Sequence, residues 1–292
     1  MIASCINLSV FARWKRKEPF LLFHISLSFA ELLCSTTSFV GYVNRAFDYT
    51  LRYALLSKIG IGFRTTFLPL INILVMLISV DRWISVQFPL FYRRKVKRRV
   101  ILLTINLVWT GTCGFYVIFF AFMGSSVLVV TCREVGQFVL KDPAWIIFYN
   151  IQFFSTLVLI ALPQCHTCAI ALQVKCRAHH RRQNTRDNDS RLVRSAIRSA
   201  MAGSAVVITN VVCQSTARLI YFFGMRSGVL TVGMAIAFTS FDCLKYLMPF
   251  VCYVAFFPKF RNNLLELIYG RRQRIVKNIV LLARPPNYPP NN

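Results

Sequence analysis

The feature that leaves this chain fewest options is a repeating pattern of long apolar stretches separated by short clusters of Lys and Arg. Six such stretches occupy about 20–44, 54–86, 99–123, 143–174, 193–225 and 229–257. Each holds the ~20 apolar residues that a helix needs to cross ~30 Å of hydrocarbon. In lipid every backbone N–H and C=O must be bonded inside the protein, and an apolar run this long meets that demand as a helix. The first twelve residues, MIASCINLSVFA, are apolar too. At ~1.5 Å per residue they reach only ~18 Å, so they read as the inner end of one more helix whose outer half is missing. The expectation is an all-α membrane protein with six full spans and a truncated first helix.

Composition agrees with lipid as solvent. The chain of 292 residues is 56% hydrophobic and 15% charged, with a mean hydropathy of +0.53, against ~45–50% and ~25% for ordinary soluble domains. The net charge of +25 would suit a nucleic-acid binder, but its placement does not. Of the 35 basic residues, 25 fall in four places: 13–17, the RRKVKRR cluster at 93–99, 175–198, and the tail after Pro258. These are alternate connections between the runs. The other connections carry only Arg45, Arg52, Lys58, Arg133, Lys141 and Arg226. By the positive-inside rule the first set faces the cytosol, so the partner implied by the charge is the lipid bilayer and not nucleic acid.

After the last run, Phe260, Leu264, Leu267 and Ile268 fall on one helical face between Pro258 and Gly270. This predicts a short amphipathic helix over 258–270 on the inner leaflet, followed by a disordered cytoplasmic tail at 271–292. The ten cysteines lie mostly inside apolar runs and match no zinc spacing. No nucleophile triad, phosphate loop or carboxylate pair is visible, so neither a metal, a cofactor nor an enzyme activity is expected.

The second full run closes on Ser79-Val80-Asp81-Arg82-Trp83-Ile84-Ser85-Val86, followed by Pro89-Leu90 and Tyr92-Arg93. This segment resembles the Asp-Arg-Tyr region that ends the third helix of rhodopsin-like G-protein-coupled receptors, with Trp83 for the tyrosine. Leu27-Ser28-Phe29-Ala30-Glu31-Leu32-Leu33 is similar to the second-helix Leu-x-x-Ala-Asp-Leu-Leu of that family. Trp109 resembles its fourth-helix tryptophan and Pro163 its fifth-helix proline, while Pro249 with Tyr253 resembles its Asn-Pro-x-x-Tyr segment. Three departures stand out. Met248 replaces the asparagine, Tyr253 lies four residues after Pro249 instead of three, and Cys213-Gln214-Ser215-Thr216 lacks the sixth-helix tryptophan and proline.

The resemblance implies a seven-transmembrane-helix bundle with the first helix truncated, plus the amphipathic eighth helix. It implies a receptor in the plasma membrane that passes an extracellular ligand signal to a heterotrimeric G-protein. Asp81, Arg82 and Trp83 would serve coupling, with Arg82 held by Asp81 at rest. Glu31 would anchor an internal sodium-like polar site shared with Asn72, and Pro163, Pro249 and Tyr253 would serve helix switching. Arg64, five turns outward of Arg82, falls at the depth where the family's third helix meets ligands. An Arg there suits an anionic ligand. Arg218 and Asp242 would share that cavity, and Lys245 lies one turn deeper than Asp242. Two rival readings are a small-solute transporter, which lacks support because no internal repeat is seen, and a degenerate receptor fragment that does not signal.

Overall fold

The computed structural model describes residues 1–14, 19–43, 51–123, 143–181, 203–217, 219 and 232–270. All its elements are α-helices: α1 (Ile2–Ala12), α2 (Leu21–Val43), α3 (Leu51–Gln87), α4 (Pro89–Lys95), α5 (Arg98–Met123), α6 (Pro143–Arg181), α7 (203–217), α8 (Val232–Phe256) and α9 (Pro258–Tyr269). Arg218, the tail 271–292 and the ends of the 193–225 run lie outside the described residues. Asp242 belongs to α8, but its side chain also lies outside them.

Four of these helices contain stretches long and apolar enough to cross a membrane: Leu21–Val40, Gly62–Gln87, Arg98–Phe119 and Asn150–Ile170. Their outer faces are as apolar as their inner ones. Leu103, Leu107 and Val117 on α5 are each 65% exposed, which is tolerable only where the surrounding medium is hydrocarbon.

Two of the helix boundaries share one local cause. Phe88 precedes Pro89 and takes φ −127°, ψ 63°; Phe257 precedes Pro258 and takes φ −108°, ψ 96°. Proline excludes the α conformation from the residue before it, yet is well placed at the first position of the next helix. Each Phe-Pro pair therefore stops one helix and starts another at an angle. At the second pair, the last turns of α8 and α9 meet at 103°. At the first, a seven-residue helix α4 forms where the sequence suggested only a basic loop. Gly270 closes α9 at φ 63°, a left-handed conformation open to glycine without strain. Pro69, Pro163 and Pro249 lie inside α3, α6 and α8, where each frees a carbonyl one turn earlier.

The core runs along α2, α3 and α6, with α1 seated against α2, α8 and α9. Leu27, Leu70, Ile71, Leu74 and Ile78 are its fully buried aliphatic centre. At the basic end it becomes aromatic. The Phe11 ring of α1 meets Tyr253 edge-on at 5.2 Å and Phe260 at 5.4 Å. Tyr253 in turn contacts Phe257 at 5.8 Å and His24 at 5.4 Å. This cluster ties α1, α2, α8 and α9 together at the bend.

Candidate functional site

The basic end of α3 carries a latch of charged and aromatic groups. Asp81 and Arg82 are 7% and 5% exposed and form an ion pair, with Arg82 Nη2 and Nε (3.1 Å) both donating to Asp81 Oδ2. The other oxygen, Oδ1, accepts from the Tyr92 hydroxyl of α4 at 2.8 Å. Both carboxylate oxygens are thus engaged, as a buried charge requires. Burial, and then the negative charge of Asp81, pushes the Tyr92 phenol well above its ordinary value, so it remains a protonated donor through the physiological range.

Arg82 is enclosed on its other sides. Its guanidinium carbon sits 4.2 Å above the centre of the Phe20 ring at the foot of α2, in the stacked arrangement that arginine favours. Gly203 of α7 lies so close that a Cβ there would come within 2.9 Å of Arg82 Cδ and 3.1 Å of Cγ. Glycine at 203 is what lets α7 close over the arginine. Trp83, next in sequence, points to α6 and donates from Nε1 to His166 Nδ1 at 2.7 Å. The three residues of the Asp-Arg-Trp segment therefore engage four helices, α2, α4, α6 and α7.

A second polar system lines the seam between α2 and α8. His24 Nδ1 and the Tyr253 hydroxyl are 2.9 Å apart, and Cys34 Sγ and the Tyr246 hydroxyl are 3.1 Å apart. Glu31 lies between these contacts on α2, and Lys245 stands beside Tyr246 on α8, each 1% exposed. Neither Glu31 oxygen has a hydrogen-bond partner among the described residues, so Asn72 of α3, although described, is not bonded to it. Trp109 of α5 donates to Ser26 Oγ at 2.8 Å. Pro163 lies half-buried in α6, and its carbonyl accepts from Thr167 Oγ1 at 2.7 Å. Arg64 lies half-buried in the half of α3 remote from Arg82; whether it meets Arg218 or Asp242 falls outside the described residues.

Several of these groups escape a reading of the sequence alone. Phe20, Gly203 and His166 reach the Asp-Arg-Trp segment from distant positions, and no local pattern marks that meeting; Tyr92 stands in the same contiguous segment. Asn7 is different. It is fully buried in α1 with both amide atoms unpartnered among the described residues, and a lone asparagine in an apolar run is itself a signal.

Comparison with curated protein sequences finds no match. The family model of the 7 transmembrane receptor (rhodopsin family) matches residues 5–255, which takes in both polar systems. Its members are receptors and not enzymes. The chain therefore belongs to the rhodopsin-like family of G-protein-coupled receptors and is a multi-pass membrane protein of the signalling-receptor type.

Proposed function

We propose that this receptor sits in the plasma membrane, takes an extracellular ligand between its outer helix ends, and passes the signal to a heterotrimeric G-protein through Asp81, Arg82 and Trp83. The observation that carries the reading is the enclosure of Arg82. A cation 5% exposed at the basic end of a spanning helix, covered by α7 across Gly203, is a group stored for later exposure. Movement of α7 away from α3 uncovers it. Around it, Leu90 and Phe91 are 71% and 55% exposed, and Arg94, Lys95, Lys97, Arg98 and Arg99 are exposed as well. Apolar anchors ringed by cations are a surface for an acidic protein partner.

Pro163, Pro249 and Tyr253 act in this reading as the places where α6 and α8 flex, because a proline inside a helix removes one rung of its ladder. Glu31 with Asn72 forms the internal polar site through which the outer and inner halves communicate. On the outer side Arg64, Arg218 and Asp242 set ligand choice, and the excess of guanidinium over carboxylate favours an anionic ligand. Exchange of charges, Arg64→Asp with Asp242→Arg, is expected to restore the expression lost in either single variant.

The direct test is nucleotide exchange on purified heterotrimeric G-protein by membranes carrying the receptor. Arg82→Ala is expected to abolish the basal exchange while surface expression stays measurable, since besides the resting pair with Asp81 it removes the G-protein contact that forms in the active state. Unchanged exchange would refute the role of Arg82.

A further inference from the structure

At its basic side the α3–α6 seam ends in a hydrogen bond of fixed polarity. Ser79 Oγ donates to the Ile160 carbonyl at 3.1 Å in the buried part of the seam. One turn further along α3, Trp83 Nε1 donates to His166 Nδ1 at 2.7 Å, with the two rings 6.2 Å apart and inclined at 63°. The Trp83 ring is half-buried and also meets Phe88 edge-on at 6.1 Å, whereas His166 is exposed. An indole nitrogen donates and never accepts. Nδ1 of His166 is therefore the acceptor, which requires a neutral imidazole with its proton on Nε2.

We propose that His166 is the positioning residue for Trp83, and that its proton sets whether α6 is fastened to the Asp-Arg-Trp segment. Uptake of a proton puts an N–H on Nδ1, facing the indole N–H, so the bond is lost and α6 is released from α3 at this end. Imidazole is the side chain that changes charge between about pH 5 and 8. The tryptophan makes the contact one-way. A tyrosine hydroxyl in its place accepts as well as donates, and so bonds either form of the ring.

Among the described residues, little else competes for that proton. α6 packs against α3, whose charged groups at this level, Asp81 and Arg82, are turned to each other, to Tyr92 and to Phe20. On α6 itself the titratable neighbours are the free thiols of Cys165 and Cys168. α7, which meets Arg82 at Gly203, brings no charged side chain over 203–217. From α5, Tyr116 reaches Gln152, far along α6 from His166. The proposal rests on the reading of Trp83 as part of the coupling segment, but its first test reads the indole and not the G-protein.

The experiment follows the indole N–H resonances of the full chain, labelled with nitrogen-15 tryptophan in detergent, with Trp83 assigned by its loss in Trp83→Phe. Spectra are compared at about pH 7.5 and about pH 5.5, which straddle the range in which imidazole takes up its proton. The Trp83 signal is expected to lose its hydrogen-bonded shift in acid. In His166→Asn, whose side-chain oxygen stands in for Nδ1 and takes no proton, the shift should persist at both values; in His166→Phe it should be absent at both. Basal nucleotide exchange by membranes, normalised at each pH to His166→Asn, should rise about 2- to 10-fold in acid for the wild type, the weight of one neutral hydrogen bond. A wild-type signal that does not move, or that moves equally in His166→Asn, would overturn the proposal. So would wild-type exchange that follows pH no more than that of His166→Asn. A moving indole with no exchange in any variant would uphold the clasp and refute the G-protein reading.

Discussion

Tyr92 shows how one hydroxyl can set the resting state. Its bond to Asp81 Oδ1 at 2.8 Å holds the carboxylate that in turn holds Arg82, and hydrogen bonds to charged groups contribute ~1.5–3 kcal/mol. Tyr92→Phe keeps the ring and removes only that bond. It is expected to raise basal nucleotide exchange and lower the melting temperature by a few degrees; a variant with wild-type basal exchange would separate Tyr92 from the latch. Gly203 belongs to the same scale. At 2.9 Å from Arg82 Cδ, even one methyl forces either the guanidinium or α7 to move, and Gly203→Leu forces both. Basal exchange should rise in the order Gly, Ala, Leu, and a flat series would show that α7 does not rest on Arg82. Asp81 and Arg82 were legible in the sequence because the segment around them is contiguous. Tyr92 stands inside that context, whereas Phe20, Gly203 and His166 do not. Their meaning depends on which helices meet, and a linear pattern does not carry that.

Among the elements, the long helices were the most legible. A run such as 99–123 contains nothing that competes with the helix, and α5 spans Arg98–Met123. The short α4 is not legible because RRKVKRR reads as a charged loop. The structural signal was the Phe-Pro pair before it, the same one that separates α8 from α9. The fold at that second pair depends on α1. Phe11 is 2% exposed and joins α1 to Tyr253 on α8 and Phe260 on α9. Truncating a buried Phe to Ala removes ~3–5 kcal/mol, so Phe11→Ala should loosen α9 from the bundle. Faster hydrogen exchange across 258–269, with α5 unchanged, is the expected result. Exchange that rises equally everywhere would mean that Phe11 supports the whole core and not this corner.

For the whole molecule, the sequence carried the all-α membrane class through spacing and charge, without reference to any packing. What it could not carry was the pairing of interior polar groups. His24 and Tyr253, like Cys34 and Tyr246, are far apart in sequence and meet only once α2 and α8 face each other. Sidedness follows from the distribution of Lys and Arg, so tags placed in 93–99 and 175–198 should be labelled only in permeabilised cells. Labelling on intact cells would reverse the orientation and move the latch to the wrong side of the membrane.

The central claim is that Arg82 is held by Asp81 at rest and acts on a G-protein when released. It is tested most directly by basal nucleotide exchange in the Asp81→Asn variant and in the double variant Asp81→Asn with Arg82→Ala, at matched surface expression. Neutralising Asp81 breaks the ion pair and should raise basal exchange above wild type, while the double variant should show none. Raised exchange that persists without Arg82 would contradict the account.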